Sequence, residues 1–497
     1  MQLNKMVGLI VGVAAFCVLL LMDKLDPSNP QLNTMAAIAV LMAILWITEA
    51  IPLAVTSLIP LIIFPITEIL PADEIATSYM NSIIFLFLGG FLIAIAMEEW
   101  LLHKRIALKI ISIFGGTPQA IILGFMAAGA FLSMWISNTA TALMLLPIGL
   151  SVIGKLETVF DIESTKKFTV MLMLSIAYSC TLGGVATLIG TPPNLVLVKM
   201  LNVLFPEAPE LTFGNWMLLA LPISLSMLTF VALLLTKVFF KIDKSLVLDK
   251  NFVREEYKQL GTFSFEEKTV SIIFFFTALL WIFRGDINFG FMTIPGWSNL
   301  LHSPQYIDDG TIAITMAFIL FLIPSKSGKR NLLDHKAFNK VPWGIILLFG
   351  GGFALAKGFT STGLSTFIGE QLKYLQLVSP LLIVILSAFT VSFLTELTSN
   401  TAVAQMIIPV AASVSIAIGM NPLLLMITVT LSASMAFMLP VATPPNTIIF
   451  AGGQIRTIDM AKTGFALNII GTIIVSLMVY FIGSFIFQLD IFPAWAN

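Results

Sequence analysis

"ISNTATALMLLP", Ile136 to Pro147, and "TSNTAVAQMIIP", Thr398 to Pro409, are nearly one phrase written twice. Each sets Ser, Asn and Thr side by side inside an apolar stretch, where a lipid-facing helix has no use for them. Of the 497 residues, 58% are hydrophobic and 11% charged, which is the composition of a polytopic, all-α membrane protein. A span needs roughly 20 apolar residues, and eleven transmembrane helices are read at 6–22, 34–51, 53–70, 79–98, 169–200, 214–240, 268–284, 309–324, 342–359, 422–451 and 463–487. The stretches that carry the phrase, 119–150 and 379–416, stand apart from these eleven.

The phrase belongs to a longer repeat. Shifting the chain by 262 residues brings Gly89-Gly90-Phe91 onto Gly351-Gly352-Phe353, Ser137-Asn138-Thr139-Ala140 onto Ser399-Asn400-Thr401-Ala402, and Pro147 onto Pro409. Further on, "GTPPN" (Gly190 to Asn194) matches "ATPPN" (Ala442 to Asn446) at an offset of 252, because the linker "KLETVFDIESTKKF" of the first copy has almost no equivalent in the second. Each half therefore holds a Gly-pair span, a Ser-Asn-Thr element and a span interrupted by Thr-Pro-Pro-Asn, the pattern of a pseudo-symmetric transporter.

Basic residues collect in cytoplasmic loops, and this rule separates two topologies. If both Ser-Asn-Thr stretches turn back within the membrane as re-entrant hairpins, the cytoplasmic side collects 21 of the 26 Lys and Arg, including seven between Lys237 and Lys268. The opposite side keeps acidic loops with Glu68, Asp73, Glu74, Glu207 and Glu210. Letting the first stretch cross once would put the basic segment outside. The hairpin reading places five crossings between the two Gly-pair spans, so the repeats of five spans are inverted, with the N-terminus cytoplasmic and the C-terminus extracytoplasmic. The first span follows a single Lys and has no small-residue cleavage site after it, so it is expected to be retained.

Non-helical backbone at membrane depth is tolerated where it is buried in protein or lines a wet cavity. At a hairpin tip, Asn tolerates a left-handed turn, and Ser and Thr cap the helix that follows. The freed N–H groups and amide donors make an anion site without Arg or Lys. In Thr-Pro-Pro-Asn the prolines break the incoming helix and suit the first turn of the next, with Thr191 or Thr443 placed as N-cap. Such discontinuous helices bind cations at freed carbonyls and anions at helix N-termini. Either phrase alone more often kinks or glues helices; duplication of both in inverted register favours a site near the midplane. Ser133 with Ser137, and Thr395 with Ser399, lie four apart on one helix face and suit a hard cation.

Glu396 has no acidic counterpart at Met134; a functional reading makes it a proton-coupling or selectivity group, and the preferred reading is a buried structural carboxylate paired with a backbone donor or with a neighbour such as Lys357. His103, His302 and His335 are read in loops, which argues against a histidine proton relay. Cys17 and Cys180 fall inside spans and are read as small buried residues. The chain shows no nucleotide-binding loop, catalytic carboxylate pair or metal-ligand cluster, so hydrolysis and enzymatic catalysis have no residues to perform them; a net charge of −1 without a basic tail gives no hint of nucleic acid.

Two Ser-Asn-Thr tips, each followed by a Thr-Pro-Pro-Asn break in inverted repeats, resemble the divalent anion/sodium symporter family, which includes the INDY-type dicarboxylate transporters. The resemblance covers nearly the whole chain. It implies secondary active transport of di- and tricarboxylates (the succinate, malate, fumarate and 2-oxoglutarate class), coupled to co-transported sodium and driven by an elevator motion. It implies a homodimer in the cell membrane, in contact with lipid. Asn138, Thr139, Asn400 and Thr401 would hold substrate carboxylates, with Thr443 and Pro444 lining the same pocket. One sodium site would use Ser133, Ser137, Asn138 and the Gly190 carbonyl; the other would use Thr395, Thr398, Asn400 and the Ala442 carbonyl. By the same resemblance, 1–118 and 269–378 form scaffold parts, 119–200 and 379–451 transport parts, 201–268 a linking span and cytoplasmic segment, and 452–497 the last span. Rival readings are a sodium-independent dicarboxylate exchanger, a sulfate transporter and an anion channel.

Overall fold

The computed structural model describes residues 3–22, 24–160, 162–240, 251–289, 291–326 and 328–496. Helices dominate, and a two-stranded antiparallel hairpin, Ile287–Asn288 with Thr293–Ile294, is the one small sheet among the described residues. Among the described residues, eight helices are long and apolar enough to cross a membrane; two of them, Asn138–Glu157 and Asn400–Ala417, begin inside the repeated phrase. Large apolar side chains such as Ile10, Phe230, Phe275 and Phe318 point outward, as expected of surfaces that meet lipid rather than water.

Several of the spans read from hydropathy are cut by helix breaks, which a hydropathy average cannot see. The segment 53–70 divides into Leu53–Thr56 and Ile59–Ile66, with Pro60 in the first turn of the second piece. The segment 79–98 is one helix, Ser82–Glu99, capped by the Asn81 side chain on the Ile83 N–H and preceded by the short helix Ala72–Tyr79. Segment 169–200 divides into Ile162–Val185 and Pro192–Leu204, and 422–451 into Pro422–Ser432 and Pro444–Ala451. Three of the basic residues counted in the 237–268 segment, Lys241, Lys244 and Lys250, lie outside the described residues. His103 sits on the helix Leu102–Phe114 rather than in a loop.

The two repeats are interleaved. The first Gly-pair helix, Ser82–Glu99, packs along Asp309–Leu322 of the second repeat; the second, Trp343–Ser361, packs on Leu53–Thr56, Ile59–Ile66 and Ala72–Tyr79 of the first. The broken helices cross over in the same way. Pro192–Leu204 lies against Asn400–Ala417, and Pro444–Ala451 against Asn138–Glu157. Neither repeat therefore buries its apolar faces alone.

A helix lying between each Gly-pair span and its hairpin sets where the hairpin begins. In the first repeat this is Leu102–Phe114, anchored by a buried Arg105 whose Nε meets Glu267 at 2.6 Å and whose Nη atoms donate to the Gly261 and Leu260 carbonyls at 3.1 Å. Glu267 also completes a capping box with Ser264 at the start of Phe265–Ile282, so the ion pair ties two helix beginnings together. In the second repeat, Leu364–Gln371 packs on Asn400–Ala417.

Candidate functional site

Both hairpins are built alike. Pro118–Ser133 runs in, residues 134–137 turn, and Asn138–Glu157 runs out; Pro380–Leu394, 395–399 and Asn400–Ala417 repeat the plan. Ser137 is the N-cap of its helix and accepts from the Ala140 N–H at 3.1 Å, whereas Ser399 holds the same position without a side-chain cap. The expected left-handed asparagine is not found: Asn138 and Asn400 are the first residues of their helices, and the non-glycine residues of positive φ among the described residues are Glu49, Glu68, Leu101 and Gln488. The serine before each asparagine makes the turn in extended backbone, Ser137 at φ −59, ψ 144 and Ser399 at φ −62, ψ 126, so the asparagines have no need of αL.

At each tip an asparagine meets a hydroxyl five residues earlier. In the first, Ser133 Oγ touches the Asn138 amide; in the second, Thr395 Oγ1 lies 2.6 Å from Asn400 Oδ1. Ser133 maps onto Thr395 and Asn138 onto Asn400 under the 262-residue shift. The inward end of the Asn138 amide faces the Gly190 and Cys180 carbonyls and the Ser133 hydroxyl. Turned so that Nδ2 points inward, the amide donates to the Gly190 carbonyl at 3.3 Å and the Cys180 carbonyl at 3.1 Å. Turned the other way, an amide oxygen, two carbonyls and a hydroxyl would face one another, an arrangement that a cation satisfies. Gly190 must be small here, because a Cβ on it would lie 2.5 Å from the Gly184 carbonyl oxygen and 2.9 Å from that of Ser133.

The helix breaks are closed by the Thr-Pro-Pro-Asn asparagines. Asn194, fully buried, donates from Nδ2 to the carbonyls of Thr187 (2.7 Å), Val185 (3.2 Å) and Gly184 (3.4 Å). Asn446 reaches the carbonyls of Leu439 (3.1 Å) and Ala436 (3.4 Å), the same two positions as Thr187 and Gly184 under the 252-residue shift. Carbonyls orphaned where the first half-helix stops are thus satisfied from the first turn of the second. Thr443 caps its helix by accepting from the Asn446 N–H at 3.4 Å; Thr191 holds the N-cap position without a side-chain cap.

These elements surround a cavity of about 990 Å³. Ser137, Asn138, Thr139, Gly190, Thr398, Asn400, Thr401, Ala442, Thr443 and Pro444 all line it, while Ser133 and Thr395 are fully buried behind the tips. Thr398 Oγ1 is buried without a partner. The lining also includes residues outside the repeated phrases. Trp135 and Thr447 neighbour the motifs; Thr48, Glu49 and Lys5 come from the first two helices and carry no local pattern that would mark them. None of the four motif elements contributes a basic side chain.

Glu396 accepts four hydrogen bonds: from the N–H groups of Phe437 (2.6 Å), Met438 (2.9 Å) and Leu439 (3.0 Å), and from Asn468 Nδ2 (2.8 Å). The backbone-donor reading of this residue holds. The suggested pairing with Lys357 does not, since Lys357 Nζ lies 2.7 Å from Glu74.

Both the fold and the sequence have counterparts among known proteins. The fold resembles those of the antimetabolite efflux pump MtrF of Neisseria gonorrhoeae (TM-score 0.56, 10% identity, 87% of this chain and 85% of that one) and the YdaH transporter of Alcanivorax borkumensis (TM-score 0.54, 12% identity, 84% and 87%). In sequence the chain is 41% identical over 497 residues to the sodium-dependent dicarboxylate transporter SdcS of Staphylococcus saprophyticus, covering 99% of this chain and 93% of the relative. It is 42% identical over 495 residues to SdcS of Staphylococcus aureus, covering 98% and 93%. The family described as sodium:sulfate symporter transmembrane region matches residues 3–489. The chain is a membrane protein belonging to the sodium:sulfate symporter family, the divalent anion/sodium symporters.

Proposed function

We propose that this protein is a secondary active transporter that carries dicarboxylates of the succinate class together with sodium, and that it performs no chemistry on its cargo. One observation carries the reading: two hydroxyl–asparagine pairs at repeat-equivalent positions, Ser133–Asn138 and Thr395–Asn400, bring two helix N-termini to one cavity. Each N-terminus offers N–H donors and partial positive charge to one carboxylate of a dianion. A bare dianion is expensive in such a setting, and sodium supplies the charge that the motifs lack. The relatives, sodium-dependent dicarboxylate transporters, support the same cargo.

In this reading Asn138, Thr139, Asn400, Thr401, Thr443 and Pro444 contact substrate. Sodium binds Ser133, Ser137, Asn138 and the Gly190 carbonyl at one tip, and Thr395, Thr398, Asn400 and the Ala442 carbonyl at the other. The two carbonyls and the hydroxyl gathered at the inward end of the Asn138 amide, and the unpartnered Thr398 hydroxyl, support cation sites there. Eleven spans and two re-entrant hairpins in inverted repeats, scaffold parts 1–118 and 269–378, and mobile parts 119–200 and 379–451 complete the proposal, with an elevator motion in a homodimer. The N-terminus is cytoplasmic and the C-terminus extracytoplasmic.

Labelled succinate uptake into proteoliposomes, with an inward sodium gradient and internal unlabelled succinate varied independently, tests this. Sodium-driven uptake into empty vesicles is the expected result. Uptake confined to succinate-loaded vesicles and indifferent to sodium would make the protein an exchanger and sink the symport reading.

A further inference from the structure

The second broken span unwinds over residues 433–443, and the first limb of the second hairpin grips this segment at successive points. Ser392 Oγ donates to the Met435 carbonyl at 2.9 Å and Thr395 Oγ1 to the Ala433 carbonyl at 2.8 Å; Glu396 then collects the N–H groups of 437, 438 and 439. An unwound segment has N–H groups with no helical partner, and three of them in a row inside the protein need an acceptor. A carboxylate takes all three at once and adds the Asn468 amide from the helix Thr457–Met478. Only 3% of Glu396 is exposed, so its geometry is set by these four donors.

The same residue is tied to the cation chemistry by its place in the chain. Glu396 follows Thr395, whose hydroxyl contacts Asn400, and precedes Thr398, whose hydroxyl is buried and unpartnered. The stretch it holds leads directly to the Ala442 carbonyl and the Thr443 cap. Leu439 is the pivot: its N–H goes to Glu396, while its carbonyl accepts both the Asn446 amide (3.1 Å) and the Ala442 N–H (3.2 Å). The equivalent join in the first repeat has no charge. There Thr187 donates to the Met134 carbonyl at 2.5 Å and accepts from the Gly190 N–H at 3.2 Å.

We propose that Glu396 is a positioning residue for cation binding at the second hairpin tip: by fixing residues 437–439 it holds the Ala442 carbonyl and Thr398 ready for sodium. Its negative charge, buried in protein, also favours a cation over an empty tip. This rests on the symport reading and extends it, since it makes the second tip the charge-supported one and the first tip neutral.

The test uses full-length protein in two assays: succinate uptake by proteoliposomes as a function of sodium, and the sodium-induced rise in Tm of detergent-purified protein without succinate. Glu396→Gln keeps the size and one acceptor oxygen but removes the charge and turns an NH2 toward backbone donors. It is expected to raise the half-saturating sodium concentration about tenfold in both assays, while the KM for succinate at saturating sodium stays within about twofold. A merely structural carboxylate would lower the yield of folded protein and leave the sodium half-saturation unchanged; that result overturns the proposal. If Glu396→Gln does not fold, Asn468→Ala, which removes one of the four donors, is expected to shift the sodium half-saturation upward about threefold, and no shift overturns the proposal equally. A wild type whose uptake and Tm both ignore sodium would overturn the symport reading itself, whereas a sodium-responsive wild type with an unshifted Glu396→Gln removes this inference alone.

Discussion

The two helix breaks solve one problem with different chemistry. The first spans residues 186–191 and, beyond its closing asparagine, is joined to the tip by a neutral hydroxyl, Thr187, shared between the Met134 carbonyl and the Gly190 N–H. The second, 433–443, is longer, exposes more backbone, and is held by a carboxylate with four donors. The positions correspond: Met134 maps onto Glu396 and Thr187 onto Leu439. Duplication therefore preserved the two tips and the two closing asparagines, while the joins between tip and break diverged. If both tips bind sodium as proposed, similar tips on unequal supports predict two sites of different affinity.

A second inequality lies in the Gly-pair helices. Gly90 lines the cavity, and a Cβ on it would reach Ile189 at an ordinary 3.8 Å. Its equivalent, Gly352, is pressed against Gln405 of the second hairpin, where a Cβ would lie 2.4 Å from Gln405 Cδ. Gln405 in turn donates to the Leu348 carbonyl at 2.9 Å, fastening that hairpin to the helix, whereas its counterpart Leu143 is exposed. One repeat is thus closed on its Gly-pair helix and the other is open.

The equality of the tips is the feature most exposed to experiment. Asn138→Ala and Asn400→Ala are each expected to reduce succinate uptake by about 100-fold or more, while the protein still elutes as a folded species from size-exclusion chromatography. Near-normal uptake in either would break the symmetry of the site. Next, Gly352→Ala should overpack its contact and cost about 1–3 kcal/mol, read as a lowered Tm. Gly90→Ala should be neutral or stabilise by up to about 1 kcal/mol through helix propensity; equal losses at both positions would deny that the two repeats are packed differently. Asn194→Ala strands three carbonyls and Asn446→Ala two. Both are expected to lower stability by about 1–3 kcal/mol, with Asn194→Ala the more damaging in thermal unfolding. The smallest effect is expected from Thr187→Val, about 1 kcal/mol, with the sodium dependence of uptake shifted less than in Glu396→Gln. A larger shift would reverse the ranking of the two joins.

Repeat, break and tip were legible because each is a local pattern. Thr-Pro-Pro-Asn marks its own interruption, and two matched offsets reveal the duplication. The misread features depend on what lies elsewhere in space. The divided span at 53–70 looks continuous to a hydropathy average although Pro60 opens a new helix inside it. The left-handed turn expected of Asn138 and Asn400 was unnecessary because the preceding serine already supplied the extended residue. That Glu396 sits on backbone donors could be guessed from its lack of a basic neighbour in sequence; that those donors are 437–439, some forty residues on, could not. Lys5, Thr48 and Glu49 reach the cavity only through packing of the first two helices, for which the chain carries no spacing signal.

The absence of a lysine or arginine from the four motif elements has a consequence for release. A permanent cation would hold a dianion equally well on either side of the membrane, and letting go would then require a proton transfer or a rearrangement of that residue. Under the proposed coupling, with Lys5 reaching the cavity only from the first helix, the positive charge at the motifs is borrowed as sodium from the surrounding solution. When the cavity faces a compartment poor in sodium, the borrowed charge departs and the site's grip on the dianion goes with it. The ion gradient itself tells the carrier which side it has reached.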